Sequence, residues 1–213
     1  MSFSAALFDL DGTLQDSEVV WIEAIRLFLA DHGIKIGADE ATRLVYGRSA
    51  SDIYSDVMAM PGMGGWTVPG IADAVREYYG SELEKTDIAF PTSVDLLKRL
   101  ARTMPVAIVS GSPREDVASA ARNLGVDGDL SLLLGAEDCS RGKPDPECFL
   151  KAASLLGVPP SECVVFEDST AGVRAAKAAG MHCVALSREG SPKQDVSAAD
   201  VVVADLADFH YDP

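Results

Sequence analysis

The stretch Ala5-Ala6-Leu7-Phe8-Asp9-Leu10-Asp11-Gly12-Thr13 decides how the rest of the chain is read. Four apolar residues in a row, cut off by an acidic turn containing glycine, mark a short strand buried on both faces. Asp9 and Asp11 stand two apart, so on extended backbone their carboxylates point to one face. The same figure recurs downstream. Val106 to Val109 runs into Ser110-Gly111-Ser112, and Cys163 to Phe166 runs into Glu167-Asp168-Ser169. Ser131 to Leu134, Cys183 to Leu186 and Val201 to Val203 are further apolar runs. Between them Thr92 to Arg102, Pro113 to Leu124, Pro146 to Leu156 and Thr170 to Ala179 carry helix start signals, three of them bounded by Gly or Pro. This alternation predicts an α/β fold with a Rossmann-like parallel sheet.

One interval breaks the rhythm. From Asp16 to Phe90, roughly 75 residues separate the first strand from the next βα unit, far more than a crossover needs. We read 16–90 as an inserted helical module and 1–15 with 91–213 as the α/β core. Ser17-Glu18-Val19-Val20-Trp21, followed by Ile22, Ile25, Phe28 and Leu29, predicts a capped amphipathic helix ending near Gly33. Ser51 to Met60 and Ile71 to Leu83 also read as helical. Trp66, in the flexible Pro61 to Trp66 segment, is expected to anchor that loop on the module. The polar tail Asp205 to Pro213 is expected to be loosely ordered.

The 213 residues, 47% hydrophobic, suffice for a sizeable core and exclude a disordered or fibrous chain. With 18 basic and 33 acidic residues the net charge is −15, which argues against nucleic acid and anionic membrane as partners. Cys139, Cys148, Cys163 and Cys183 show no CxxC spacing and are expected to be reduced structural thiols. The opening residues lack a basic segment and carry Asp9 and Asp11 inside the apolar run, so a signal peptide is not expected. The default is a soluble cytoplasmic protein. A monomer is the default assembly, although nothing in the sequence decides it.

In open parallel sheets ligands bind at the carboxyl ends of the strands. Four polar clusters fall there: Asp9-Leu10-Asp11-Gly12-Thr13, Ser110-Gly111-Ser112, Gly142-Lys143-Pro144-Asp145-Pro146, and Glu167-Asp168-Ser169. Asp-Gly and Ser-Gly are ordinary turn formers, and Ser169 suits a helix cap, so each cluster alone has a bland reading. Together they gather acidic oxygens that repel one another unless a cation joins them. Hard oxygen donors without His or Cys suit Mg2+. His32, His182 and His210 lack metal-ligand spacing. Lys143 then offers a fixed positive charge, and Ser110 with the backbone N–H groups that follow offers donors to phosphate oxygens.

These four clusters, in this order, resemble the motifs of the haloacid dehalogenase superfamily: DLDGT, SGS, GKPDP and FEDS. The insertion resembles that superfamily's helical cap. The resemblance implies a Mg2+-dependent phosphohydrolase acting on a small phosphate ester through an aspartyl-phosphate intermediate. It implies Asp9 as nucleophile, Asp11 as general acid and base, and Ser110, Gly111 and Lys143 as phosphate binders. It further implies Asp9, Asp11 and Asp168 as metal ligands, Asp11 through its main-chain carbonyl, with Glu167 either on the ion or one layer behind it.

The EDS form of the last motif resembles the β-phosphoglucomutase-like branch, which holds both mutases and sugar-phosphate phosphatases. The mutases carry a cap histidine where this chain has Trp21, and an arginine that falls here on Ala50. Both departures favour a phosphatase over a mutase. Arg48 and Ser49 are the expected substrate contacts in the insertion, with Trp21 at the mutase's histidine position. A dehalogenase lacks the second motif-one Asp, which Asp11 supplies here. A receiver-like phosphoacceptor domain has neither DxDGT nor so long an insertion.

Overall fold

The computed structural model describes residues 2–45, 48, 50–189, 191 and 193–210. The chain divides into two compact units, Met1–Gln15 with Ala89–Pro213, and Asp16–Ile88.

Among the described residues the first unit is built on six strands, β1 (Ala5–Phe8), β2 (Val106–Val109), β3 (Leu132–Leu134), β4 (Cys163–Glu167), β5 (His182–Leu186) and β6 (Val201–Val203). They lie in the order β3-β2-β1-β4-β5-β6 and every pairing is parallel. The sheet runs outward in both directions from β1, so its topological switch point lies between β1 and β4. Strand side chains alternate between two cores. Ala6, Phe8, Ile108 and Phe166 pack with residues of the helices Pro91–Leu100 and Arg114–Asn123. Ala5, Leu7, Val109 and Val165 pack with residues of the helices Glu147–Leu156 and Thr170–Ala178. Burial on both faces explains why these strands read as unbroken apolar runs.

The tail departs from expectation. Leu206 is fully buried and Phe209 is buried against the same core, its ring edge-on to Phe166 at 5.2 Å between centroids. Two apolar side chains at a spacing of three suffice to order a segment that is polar overall. Tyr211, Asp212 and Pro213 lie outside the described residues.

The second unit is helical. In chain order its helices are α1 (Ser17–Asp31), α2 (Ala38–Val45), α3 (Ala50–Met58) and α4 (Val68–Leu83); the core unit continues with α5 (Pro91–Leu100), α6 (Arg114–Asn123), α7 (Glu147–Leu156) and α8 (Thr170–Ala178). Ala24, Ile25, Phe28 and Leu29 of α1 share a core with Ile71 and Val75 of α4. Helix α4 starts three residues earlier than the pattern suggests, because Thr67 caps it by accepting from the Gly70 N–H at 3.2 Å and Pro69 sits in its first turn. At α1 the expected side-chain cap is not made: Asp16 holds the N-cap position without a capping hydrogen bond, and Ser17 is buried in the first turn. Helix α2 was not expected, since only Ala41 and Val45 of its eight residues are buried. Trp66 packs edge-on to Phe28 at 5.2 Å, as a loop anchor does.

Among the described residues, no helix is long and apolar enough to cross a membrane.

Candidate active site

Asp9 leaves β1 and Glu167 ends β4, so two carboxylates stand on adjacent strands at the switch point. Asp9 is held by its own N–H, which donates to the Phe166 carbonyl at 2.9 Å. Lys143 reaches in from the loop before α7. Its Nζ donates to Asp9 Oδ1 at 2.6 Å, to Glu167 Oε1 at 2.6 Å and to the Val109 carbonyl at 3.0 Å. The ammonium therefore spans the ends of β1, β2 and β4. Burial pulls the Lys143 proton affinity down, but Asp9 and Glu167 more than offset this and hold it above its ordinary value. Burial raises the Asp9 carboxyl well above the usual carboxylate range; Lys143 pulls it back, and Glu167 and Asp168 push it up again.

Glu167 is fully buried, and both of its oxygens are engaged. Oε1 takes Lys143, while Oε2 accepts from the Asp168 and Ser169 N–H groups at 3.0 and 2.9 Å and from the Ser169 hydroxyl at 2.9 Å. Ser169 is at the same time the N-cap of α8, accepting from the Gly172 N–H at 3.0 Å. The carboxylate lies so close over the first turn of α8 that a Cβ on Gly172 would stand 1.7 Å from Glu167 Oε1. Glycine is required there by contact, not by backbone angle.

The DLDGT turn is tied down at several points. The Leu10 carbonyl accepts from the Leu14 and Gln15 N–H groups at 2.8 and 3.1 Å, and the Gly12 N–H donates to the Gln15 carbonyl at 2.7 Å. Gly12 adopts φ +84°, and a Cβ on it would fall 2.1 Å from Asp168 Oδ2. The Asp11 carboxylate accepts from the Ser112 hydroxyl at 2.8 Å and from the Gln15 side-chain amide at 2.9 Å. Thr13 is fully buried, and its hydroxyl has no hydrogen-bond partner among the described residues.

In the SGS loop the buried Ser110 hydroxyl accepts from the Ser112 N–H at 3.0 Å. That N–H thus closes the loop on itself. Gly111 beside it is exposed. Cys139 and Cys148 form a disulfide across the loop that carries Lys143, with Cα atoms 5.7 Å apart, which corrects the expectation of four reduced thiols. Position, not spacing motif, brings them together: one follows the 3-10 turn Ala136–Asp138 and the other lies in the first turn of α7. Cys163 and Cys183 are free and buried.

Residues 3–180 match the model of the haloacid dehalogenase-like hydrolases. The chain belongs to that family. This hydrolase is 35% identical over 210 residues to a validoxylamine A 7'-phosphate phosphatase of Streptomyces hygroscopicus subsp. limoneus, covering 98% of this chain and 97% of that one. It is 34% identical over 184 residues to hexitol phosphatase A of Escherichia coli (strain K12), covering 85% and 82%. The structure of a putative β-phosphoglucomutase from Thermotoga maritima superposes with a TM-score of 0.81 over 95% of this chain and 94% of that one. At 24% identity that likeness concerns the fold alone.

The hydrolase's own residues fit a divalent cation. Carboxylate oxygens of Asp9, Glu167 and Asp168 lie within 4.8 Å of one another. Asp9 and Glu167 share the ammonium of Lys143, and Asp168 brings a third carboxylate beside them; such a gathering of hard oxygen donors suits a divalent ion. The Asp11 carboxylate is not part of that group; it is turned to Ser112 and Gln15.

Gln15 and Arg188 are the functional candidates that sequence reasoning missed. Arg188 Nη1 donates to the Gly12 carbonyl at 2.7 Å. The available signals were an amide four residues after Asp11 and a lone arginine just past the end of β5. In the helical unit Arg48 is exposed and paired with Asp56 at 2.7 Å, and Trp21 stacks on Tyr79 at 4.2 Å. Ser49 lies outside the described residues.

Proposed function

We propose that this hydrolase is a Mg2+-dependent phosphatase of small, polyhydroxylated phosphate monoesters such as sugar or polyol phosphates, and that Asp9 is its nucleophile. The observation that carries the reading is Lys143 Nζ, held 2.6 Å from both Asp9 and Glu167 at the switch point of the sheet. A cation fixed beside a carboxylate in a strand-end crevice suits a tetrahedral dianion brought up to that carboxylate. The substrate class is supported by the phosphatases to which the chain is similar.

In the first step an Asp9 oxygen attacks phosphorus, the bond to the ester oxygen breaks, and Asp11 gives its proton to the departing alkoxide. In the second step Asp11 takes a proton from water, the water oxygen attacks phosphorus, and the bond to Asp9 breaks, releasing inorganic phosphate. Ser112 and Gln15 fix the Asp11 carboxylate for both proton transfers. Lys143 neutralises charge on the phosphoryl oxygens, with Ser110 and Gly111 contributing donors. Asp9, Asp168 and the main-chain carbonyl of Asp11 would hold Mg2+, which would supply the remaining positive charge against those oxygens. With both oxygens of Glu167 engaged, its role is to hold Lys143 and the start of α8. Arg48 and Ser49 remain candidates for contact with the substrate's hydroxyl-bearing part.

A mutase reading asks for a histidine where Trp21 is stacked on Tyr79. The test is phosphate release from a panel of hexose, hexitol and cyclitol phosphates with Mg2+ and with EDTA. Mg2+-dependent release is expected. Interconversion of hexose 1- and 6-phosphates without release would overturn the reading.

A further inference from the structure

We propose that Arg188 is a positioning residue for this reaction, pinning the Gly12 peptide and through it the placement of Asp11 and Asp168 relative to Asp9. The inference rests on the phosphatase reading and adds a residue outside its four motifs.

Arg188 follows β5 by two residues and is half-buried at the same edge of the sheet as Asp9. Its guanidinium uses three kinds of contact at once. Nη1 donates to the Gly12 carbonyl at 2.7 Å, Nη2 donates to the fully buried Ser93 hydroxyl at 3.0 Å, and Cζ lies over the Phe90 ring, 3.7 Å from its centroid. Phe90 and Ser93 belong to the start of α5, where Phe90 N–H also donates to the Leu14 carbonyl at 2.9 Å. Arg188 therefore braces the DLDGT turn against α5. A planar fork with fixed donor directions does this; a lysine ammonium does not reproduce the pair of bonds and the stacking together.

The Gly12 carbonyl is a sensitive place to brace. The Gly12 N–H is already committed to Gln15, so the Arg188 bond on the carbonyl immobilises the residue from its other side. Gly12 Cα faces Asp168 so closely that no side chain fits between them. Asp11 precedes it directly. A small rotation of the Gly12 peptide moves Asp11, and it opens or closes the contact with Asp168. A misplacement of about 1 Å near reacting groups can lower rates by about 100-fold.

The experiment compares wild type, Arg188→Ala and Arg188→Lys as full chains. It measures kcat and KM for the best ester of the panel, the melting temperature in EDTA, and the Mg2+ concentration giving half of the Mg2+-induced thermal shift. For Arg188→Ala we expect kcat lowered at least about tenfold, KM changed less than about threefold, and the half-saturating Mg2+ raised severalfold. The melting temperature in EDTA should stay within a few degrees of wild type, and low millimolar guanidinium should restore part of kcat. Arg188→Lys should fall between, and it decides the matter by the same criteria if the alanine variant does not fold. Wild-type kcat and Mg2+ half-saturation in a folded variant overturn the proposal. So does a loss of kcat that guanidinium leaves unchanged and that the drop in melting temperature accounts for. A wild-type chain that hydrolyses no ester retires the phosphatase reading, and the Mg2+ half-saturation then decides Arg188.

Discussion

Replacing Gly172 with alanine tests whether Glu167 is held as tightly as its contacts indicate. Gly172 is the third residue of α8, and by helix propensity alone alanine would stabilise the chain by about 1 kcal/mol. The structure reverses the sign. The new Cβ would lie 1.7, 1.9 and 2.3 Å from Glu167 Oε1, Cδ and Oε2. Reaching ordinary contact requires the carboxylate or the helix to move by more than an ångström, and the 2.6 Å bond to Lys143 does not survive such a move. Breaking a largely buried ion pair costs about 3–5 kcal/mol, so about 2–4 kcal/mol remains after the propensity gain. For a chain of this size that is roughly 4–16 °C of melting temperature. Because Lys143 loses one of its two anchors beside Asp9, kcat should fall by at least about 100-fold. Thermal unfolding followed by circular dichroism, with phosphate release measured on the same samples, reads both effects. A variant that melts at or above wild type with unimpaired turnover would show that Glu167 is not held against Gly172 and Lys143 in this way.

Other outcomes follow from the same contacts. Chelation should abolish phosphate release, and added Mg2+ should restore it, as followed by a colorimetric phosphate assay. Asp200 should stabilise the fold in a pH-dependent way. Burial raises its carboxyl, but Lys177 at 2.6 Å and the Cys183 N–H at 2.8 Å outweigh this and hold it below the usual range. A lowered folded value means that the stabilisation is present above the unfolded value of about 4 and is lost as pH falls through the folded one. Asp200→Asn should therefore melt lower than wild type at neutral pH, with the gap closing under acid; a gap that is constant with pH would contradict this. Thiol titration of the unfolded, unreduced chain should find Cys163 and Cys183 alone, and reduction should add Cys139 and Cys148. In the native state Cys163 and Cys183 should react slowly, since burial pushes their thiols up to about 11 and about 12.

The sheet is legible in the sequence because strands buried on both faces are short unbroken apolar runs, and each polar residue that ends one marks a strand's carboxyl end. Asp9, Glu167 and Asp168 can be placed near one edge by that argument alone, whereas Lys143 comes from the loop before α7. What each of them touches cannot. Whether Glu167 meets a cation or supports Lys143 depends on which groups approach its two oxygens, and those come from β4, α8 and the loop before α7. Gly172 reads as a flaw in a helix until the carboxylate above it is seen. Arg188 and Gly12 are 176 residues apart in sequence, and no local pattern predicts their bond. The Cys139–Cys148 pair escaped because its residues lie on two different elements. Helix α2 escaped because it is short and buries only Ala41 and Val45.

In the proposed reaction Asp9 carries the phosphoryl group between the two half-reactions. Acid quenching during turnover, followed by proteolysis and mass spectrometry, should recover phosphate on the peptide containing Asp9, at Asp9 itself, and Asp9→Asn should show neither the adduct nor turnover. Turnover without any phosphorylated Asp9, or full activity in Asp9→Asn, would contradict the account.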